Sequence, residues 1–201
     1  METYKTLLYQ HLKEFSGLTE LDFEEGEKFW HSRSIKKGDF FNTKGIVCKE
    51  LGYITKGIFR IYHYDDLTQK ETNVFFFSEN QFLISFHSFI RQYPCSYYVE
   101  ALEDSEFIAI RYDHLQDLYS KSKGWEKMGR KLAEHHYEYS QLRMESLLFL
   151  TPEKRYVHLL EKHQDITERI PLYHISSYLG IKNPSLSRIR KRMNERYKLL
   201  N

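Results

Sequence analysis

Residues 174–192, HISSYLGIKNPSLSRIRKR, restrict what this chain can fold into more than any other stretch. Ile175 and Leu179 stand four apart, which puts them on one face of a helix. Gly180 follows where a helix ends on a residue that tolerates positive φ. Ile181 packs the turn. Asn183-Pro184 then opens a second helix, with Asn suited to cap it and Pro to its first turn. Leu186 and Ile189 give that helix a buried face, and Ser185, Ser187, Arg188, Lys191 and Arg192 are left to point outward. This is the pattern of a helix-turn-helix, whose second helix enters the DNA major groove. A basic helical hairpin with a merely solvated face has the same local pattern, so charge must separate the two readings.

From Lys182 to Lys198 there are seven basic residues and one acidic, Glu195. From Leu150 to the end the count is eleven Lys and Arg against five Asp and Glu, a net of +6. The whole chain carries +2, so the first 149 residues carry −4. A basic end on an acidic body points to a polyanion as the partner of that end. Arg188, in the middle of the second helix, is the first candidate for a base contact, because bidentate Arg to guanine is the commonest specific pairing. Asn183 and Ser185 at the entering end come next, then Ser187. Lys182, Arg190, Lys191 and Arg192 are the phosphate candidates; for Arg190, covering a neighbouring helix is an equally simple use.

The body of the chain is globular in composition, 41% apolar and 29% charged, and no apolar run approaches the ~20 residues of a membrane span. Cys48 and Cys95 make no disulfide framework and no CxxC pair, which points to a reducing cytoplasm. Segments 50–54, 57–64, 71–77, 96–102 and 106–110 are rich in Ile, Val, Phe, Tyr and Thr and separated by turns, the pattern of a β-sandwich or barrel. Short helices are expected near 4–15, 19–31 and 113–120. After a break near Gly124, a long helix is expected over 125–148. Along it Trp125, Met128, Leu132, His135, Tyr139 and Leu142 alternate at spacings of three and four, as in a seam that pairs two helices. Packing on its own domain needs only such a stripe as well. Thr151-Pro152-Glu153 starts a further helix, and 165–171 reads as a polar connection. The fold class expected is α+β, divided at 1–123, 124–149 and 150–201.

This order resembles the Crp/Fnr family of bacterial transcription regulators. Cys48-Lys49-Glu50 through Tyr53-Ile54 to Gly57-Ile58-Phe59-Arg60-Ile61-Tyr62 is similar to the family's early strands. The run from Tyr97-Tyr98-Val99 to Ser105-Glu106 is similar to its later ones. Leu179-Gly180-Ile181 and Ser185-Leu186-Ser187-Arg188-Ile189-Arg190 are similar to its DNA-binding signature. The resemblance implies an N-terminal double-stranded β-helix (β-roll) as sensor domain, a long central dimerisation helix and a C-terminal helix-turn-helix domain. It also implies a homodimer on a pseudo-palindromic double-stranded operator. The family's wing is expected to be truncated, since NERYKLLN after Arg192 reads as helix rather than hairpin.

The departures from the family pattern bear on the effector. Members that bind cyclic AMP carry a Gly-Glu pair and an Arg-Ser/Thr-Ala run whose Arg takes the phosphate; Ile84-Ser85 and Cys95-Ser96-Tyr97 stand there instead. Losing that Arg removes the charged fork a cyclic phosphate needs. The site is therefore expected to be a degenerate effector pocket, at Phe82, Ser85, Cys95, Ser96 and Tyr97, that does not hold cyclic AMP tightly. An apolar or aromatic small molecule could lie among Phe75, Phe77, Phe82, Phe86 and Tyr97, although such rings are more often plain core. Two cysteines cannot supply the four thiolates of an iron–sulfur cluster. His63 and His87 read as structural, and no cofactor or metal is expected. The strand region holds no His-x-His, and the chain has no His-Glu-x-x-His, Gly-x-Ser-x-Gly or phosphate loop, so an enzyme is not expected. The competing reading is a cupin-like β-roll, a small-molecule-binding protein or enzyme, with an incidental basic tail. The partners expected are DNA, a second copy and a small-molecule effector, with no membrane.

Overall fold

In a computed structural model the apolar segments pair into two four-stranded antiparallel sheets, followed by a run of helices. The structure describes residues 2–162 and 164–200, with side chains over 4–161 and 167–195. Helices α1 (Glu2–Ser16) and α2 (Glu20–Gly26) lead into β1 (His31–Ile35), β2 (Phe40–Asn42), β3 (Glu50–Lys56), β4 (Phe59–Asp65), β5 (Lys70–Phe77) and β6 (Phe82–Leu83). Then come α3 (Phe86–Arg91), β7 (Tyr98–Ala101), β8 (Ser105–Arg111) and α4 (Tyr112–Lys121). The chain ends in α5 (Lys123–Phe149), α6 (Pro152–Lys162), α7 (Gln164–Arg169), α8 (Leu172–Leu179) and α9 (Asn183–Leu200). One sheet has the order β1-β8-β3-β6 and the other β2-β7-β4-β5. This is the α+β class expected. Two compact units result: 1–61 with 76–139, and 62–75 with 140–201.

The register of β3 on β8 sets Leu51 against Ile110 and Tyr53 against Ile108, and all four are buried in the first unit's core. Between β3 and β4 the chain must turn hard against β8. Gly57 takes φ +104°, and a Cβ there would lie 2.1 Å from the Ser105 hydroxyl. Leu8 and Leu12 of α1 and Phe23 of α2 cap the same core.

The long helix begins differently from the expectation. The break falls at Ser122, not Gly124: Ser122 is extended (φ −127°, ψ 124°), and its hydroxyl accepts from the Gly124 and Trp125 amides. That hydroxyl donates in turn to the Asp22 carboxylate at 2.6 Å. Asp22 also completes a capping box with Thr19 at the start of α2, and the Trp125 indole N–H donates to the Asp22 carbonyl at 2.6 Å. These bonds, Ser122 first and Thr19 next, hold the Asp22 carboxyl below its ordinary pKa. The start of α5 is thereby tied to α2.

Two other expectations need correction. The helix expected over 19–31 ends at Gly26, and the chain passes through a 3₁₀ turn into β1. That strand, HSRSI, pairs with β8 but is almost wholly exposed, so no apolar alternation announces it. Region 165–171 is not a plain connection, because α7 occupies most of it; QDITER has the polar character of a loop and too few turns to show a period. Among the described residues no strand follows α9.

Candidate nucleic-acid interface and effector pocket

In the second unit α8 ends on Gly180 at φ +67°, with the Gly180 and Ile181 amides donating to the Ser177 and Ser176 carbonyls. Ile175 and Leu179 are buried in α8, as are Leu186 and Ile189 in α9. The second helix already includes Asn183, the expected capping position, because the Lys182 carbonyl accepts from the Ser185 and Leu186 amides. Asn183 does not cap the helix: its side-chain oxygen accepts from the buried Ser176 hydroxyl of α8, which pins the turn.

The helical period then sorts the candidate DNA contacts. Ser185, Arg188, Lys191 and Arg192 share one face at spacings of three and four. With Thr151, Pro152 and Glu153 they line an open groove beside the start of α6. The Arg188 guanidinium lies back along the helix, with Nε donating to the Pro184 carbonyl at 3.3 Å and a terminal nitrogen 3.4 Å from the Ser185 hydroxyl. Arg192 is paired with Glu153 at 3.4 Å and Lys191 reaches Glu195 at 4.0 Å. Both pairs are exposed and therefore weak. Asn183, Ser187 and Arg190 are exposed but fall on the flanks of the face, and Arg190 lines a separate hollow with Tyr156, Leu160 and Ile170. Lys182 is exposed in the turn.

Sequence reasoning missed one part of this unit. Asn73, on β5, is 2% exposed. Its side-chain amide donates to the His174 carbonyl at 3.2 Å, and its backbone N–H donates to the Ser177 hydroxyl at 3.0 Å. That hydroxyl donates to the Glu71 carbonyl. The strand is thus bonded to the first helix of the pair. A contact across a hundred residues leaves no periodic trace in sequence.

The seam expected on α5 does not run as drawn. Trp125, Met128 and Leu132 are 0%, 0% and 5% exposed inside the first unit's core. His135 and Tyr139 line a cleft in the same unit, and Leu142 alone of the six is an exposed large apolar residue. The heptad spacing was real, but its first turns serve the protein's own domain. The stripe left open runs along the other side of the helix: Tyr137, Met144 and Leu147, with Ser140 between them, at spacings of three, four and three.

In the β-rich unit the expected pocket residues divide as well. Ser85 and Cys95 are buried and meet, hydroxyl to thiol, at 2.8 Å, and the Tyr97 amide donates to the Cys95 sulfur at 3.3 Å. Cys48 lies nearby, its thiol pushed up to about 11 chiefly by burial. The Ser85 and Cys95 side chains are thus bonded to each other, and Arg91 is exposed, over the Tyr93 ring. Ser96 is exposed. Phe82 alone of the expected five lines the cleft of about 320 Å³ that this unit does contain. Among the described residues no cluster of three or more His, Cys, Asp or Glu is placed to hold a metal, and no helix is long and apolar enough to cross a membrane.

Residues 32–122 match the family model of the cyclic nucleotide-binding domain. No curated protein sequence matches the chain. Among solved structures it is similar to FixK2 from Bradyrhizobium japonicum, at 13% identity over 83% of this chain and 85% of that one, with a TM-score of 0.73. It is similar to a protein assigned to the Crp/Fnr family of transcriptional regulators from Eubacterium rectale, at 16% identity over 90% and 85%, with a TM-score of 0.69. It is also similar to the c-di-GMP-responsive global regulator CLP from Xanthomonas campestris, at 18% identity over 88% and 92%, with a TM-score of 0.66. Identities this low make these likenesses of fold.

Proposed function

We propose, from the premise that this chain has the fold of the Crp/Fnr transcription regulators with a cyclic nucleotide-binding domain over 32–122, that it regulates transcription by binding a pseudo-palindromic operator as a homodimer. The observation that carries this reading is the exposed face of α9. Ser185, Arg188 and Lys191 stand together on a helix whose opposite face, Leu186 and Ile189, is buried. Arg188 is the base-reading residue and Ser185 its neighbour at the entering end. Lys182 and Lys191 grip phosphates, with Arg190 on the flank. Arg192 joins them only by giving up Glu153. Asn183, whose oxygen is engaged by Ser176, has its amide N–H left to offer a base.

The pairing surface is the open stripe of α5, Tyr137, Ser140, Met144 and Leu147. Large apolar side chains at such spacing are stabilised by a second helix. The division of labour follows 1–123 as sensor, 124–149 as pairing helix and 150–201 as DNA-binding part. Cyclic AMP is not the effector, because Cys95 stands where the phosphate would need a cation.

Selection of bound duplexes from random DNA, with sedimentation of the same protein, tests the reading. The expected result is a two-fold symmetric consensus with half-sites about one helical turn, ~34 Å, apart and a mass of two chains. A monomer that enriches no sequence in dilute salt overturns it.

A further inference from the structure

We infer that the cleft in the first unit, walled by α1, the β5–β6 connection and α5, is a binding site for an uncharged, planar aromatic small molecule. Its volume, about 320 Å³, lies at the lower end of the range for small-ligand sites and far above the voids of a close-packed interior. The walls are rings. His11 stacks on Phe15 with centroids 6.0 Å apart and planes 11° off parallel. Phe15 meets Phe82 and His135 edge to face at 5.5 and 5.9 Å. Each ring is braced by another, so the flat faces that would sandwich a ligand are fixed before it arrives.

The chemistry of the lining selects the ligand class. Among the described residues no Lys, Arg, Asp or Glu lines the cleft. Burial lowers the His11 pKa and, with His135 beside it, brings that of His136 to about 4, so these two imidazoles are neutral near pH 7. A charged ligand would lose its hydration there and find no charged partner among the lining residues; Glu14, which acts on His11, lies outside the lining. Beside the imidazoles and the Tyr139 hydroxyl the lining carries two amides: the Asn80 oxygen accepts from the Tyr53 hydroxyl and the Gln81 oxygen from the Ser78 amide, which leaves the two NH₂ groups as donors for a ligand. One or two acceptor atoms on a flat apolar body fit that arrangement. The Ser85–Cys95 place lines none of it, so this is a different site from that of a cyclic phosphate. It stands whether or not α9 binds DNA.

The test uses N-phenyl-1-naphthylamine, a neutral fluorophore that brightens on leaving water, with the full chain at pH 7.5. The expected result is saturable micromolar binding, one per chain, accompanied by slowed amide exchange in α1 and in residues 132–139. His135→Trp adds bulk at an exposed position on the cleft wall and is expected to weaken binding at least tenfold. The anionic relative 1-anilinonaphthalene-8-sulfonate is expected to bind at least tenfold more weakly than the neutral probe. Absence of saturable binding overturns the proposal, as does binding that His135→Trp leaves intact without exchange protection in those segments. Equal affinity for the anionic probe overturns the uncharged class.

Discussion

The exposed face of α9 and the cleft beside α5 are made of opposite materials. One presents Arg188 and Lys191 to solvent on an open groove; the other is lined by braced rings, with the His11 and His136 pKa values lowered, and by no Lys, Arg, Asp or Glu among the described residues. The first suits a polyanion that is attracted from a distance and slides until it fits. The second suits a molecule driven in by loss of water. With charge separated in this way, the two proposed ligands would not compete for one surface.

Salt gives the largest test of that contrast. If each of two protomers places Lys182, Arg190 and Lys191 on phosphates, raising salt from 50 to 200 mM weakens DNA binding by about 10³-fold. The neutral probe's affinity stays unchanged over the same range. Lys191→Ala flattens the salt slope by about one per protomer and weakens all sequences alike. Equal salt sensitivity in the two assays would dissolve the comparison.

The two regions also differ in how tightly their turns are packed, and two glycines measure it. Both have positive φ, +104° at Gly57 and +67° at Gly180. A Cβ at Gly57 would strike Ser105 backbone and side chain, whereas at Gly180 the nearest neighbour is the Leu147 side chain at an ordinary 3.7 Å. Gly180→Ala therefore carries only the left-handed backbone cost, about 1–2 kcal/mol. Gly57→Ala adds a clash that β8 must move to relieve, and is expected to cost about 3 kcal/mol or more. Urea midpoints of the two variants check the ranking.

These contrasts were unequally legible in sequence. The helix pair was readable because its signals are local: an αL glycine, apolar spacings of three and four, and a charge run within twenty residues. The strands at 50–54 and 106–110 were readable because each is a short run rich in apolar, β-branched and aromatic residues, buried almost throughout and set off by turns. β1 was not, because an exposed edge strand is stabilised by pairing rather than by its own side chains. The heptad on α5 was visible, but its partner was not: whether Trp125 and Met128 face a second chain or their own α2 depends on Asp22, a hundred residues away. The cleft was invisible for the same reason. His11, Gln81 and His135 converge only in three dimensions, and the expected pocket at Ser85 and Cys95 is closed by a hydroxyl–thiol bond that no spacing announces.

Arg188→Ala sharpens the α9 side. Loss of a bidentate base contact is expected to cost about 1–3 kcal/mol at one operator position and to relax selectivity there, whereas the other positions keep their preferences. Ser185→Ala is expected to do less, because Ser185 touches Arg188 rather than replacing it. Competition with duplexes changed one base at a time reads both.

The smallest effect belongs to the cleft and concerns acid. An unfolded histidine titrates near pH 6.5, whereas His136, half-buried and stacked on the Phe86 ring at 4.2 Å, is lowered to about 4. Between those values the unfolded chain binds a proton that the folded one refuses, so stability is full above 6.5 and declines as pH falls toward 4. His11 of α1 shifts in the same direction; its neighbour Glu14 opposes the shift and His135 adds to it. Asp22, held below its usual range, adds its own loss only at more acid pH, so the interval from 6.5 to 5 isolates the imidazoles. Part of the effect is screened, because His136 is only partly buried; a decline of a few degrees in Tm is expected. His136→Phe keeps a flat ring on Phe86 and removes the titration, so its Tm should change less between pH 6.5 and 5 than that of the unaltered protein. Parallel decline of the two would mean that the cleft's imidazoles are as well hydrated as surface ones, and the neutral character that sets it apart from the α9 face would be lost.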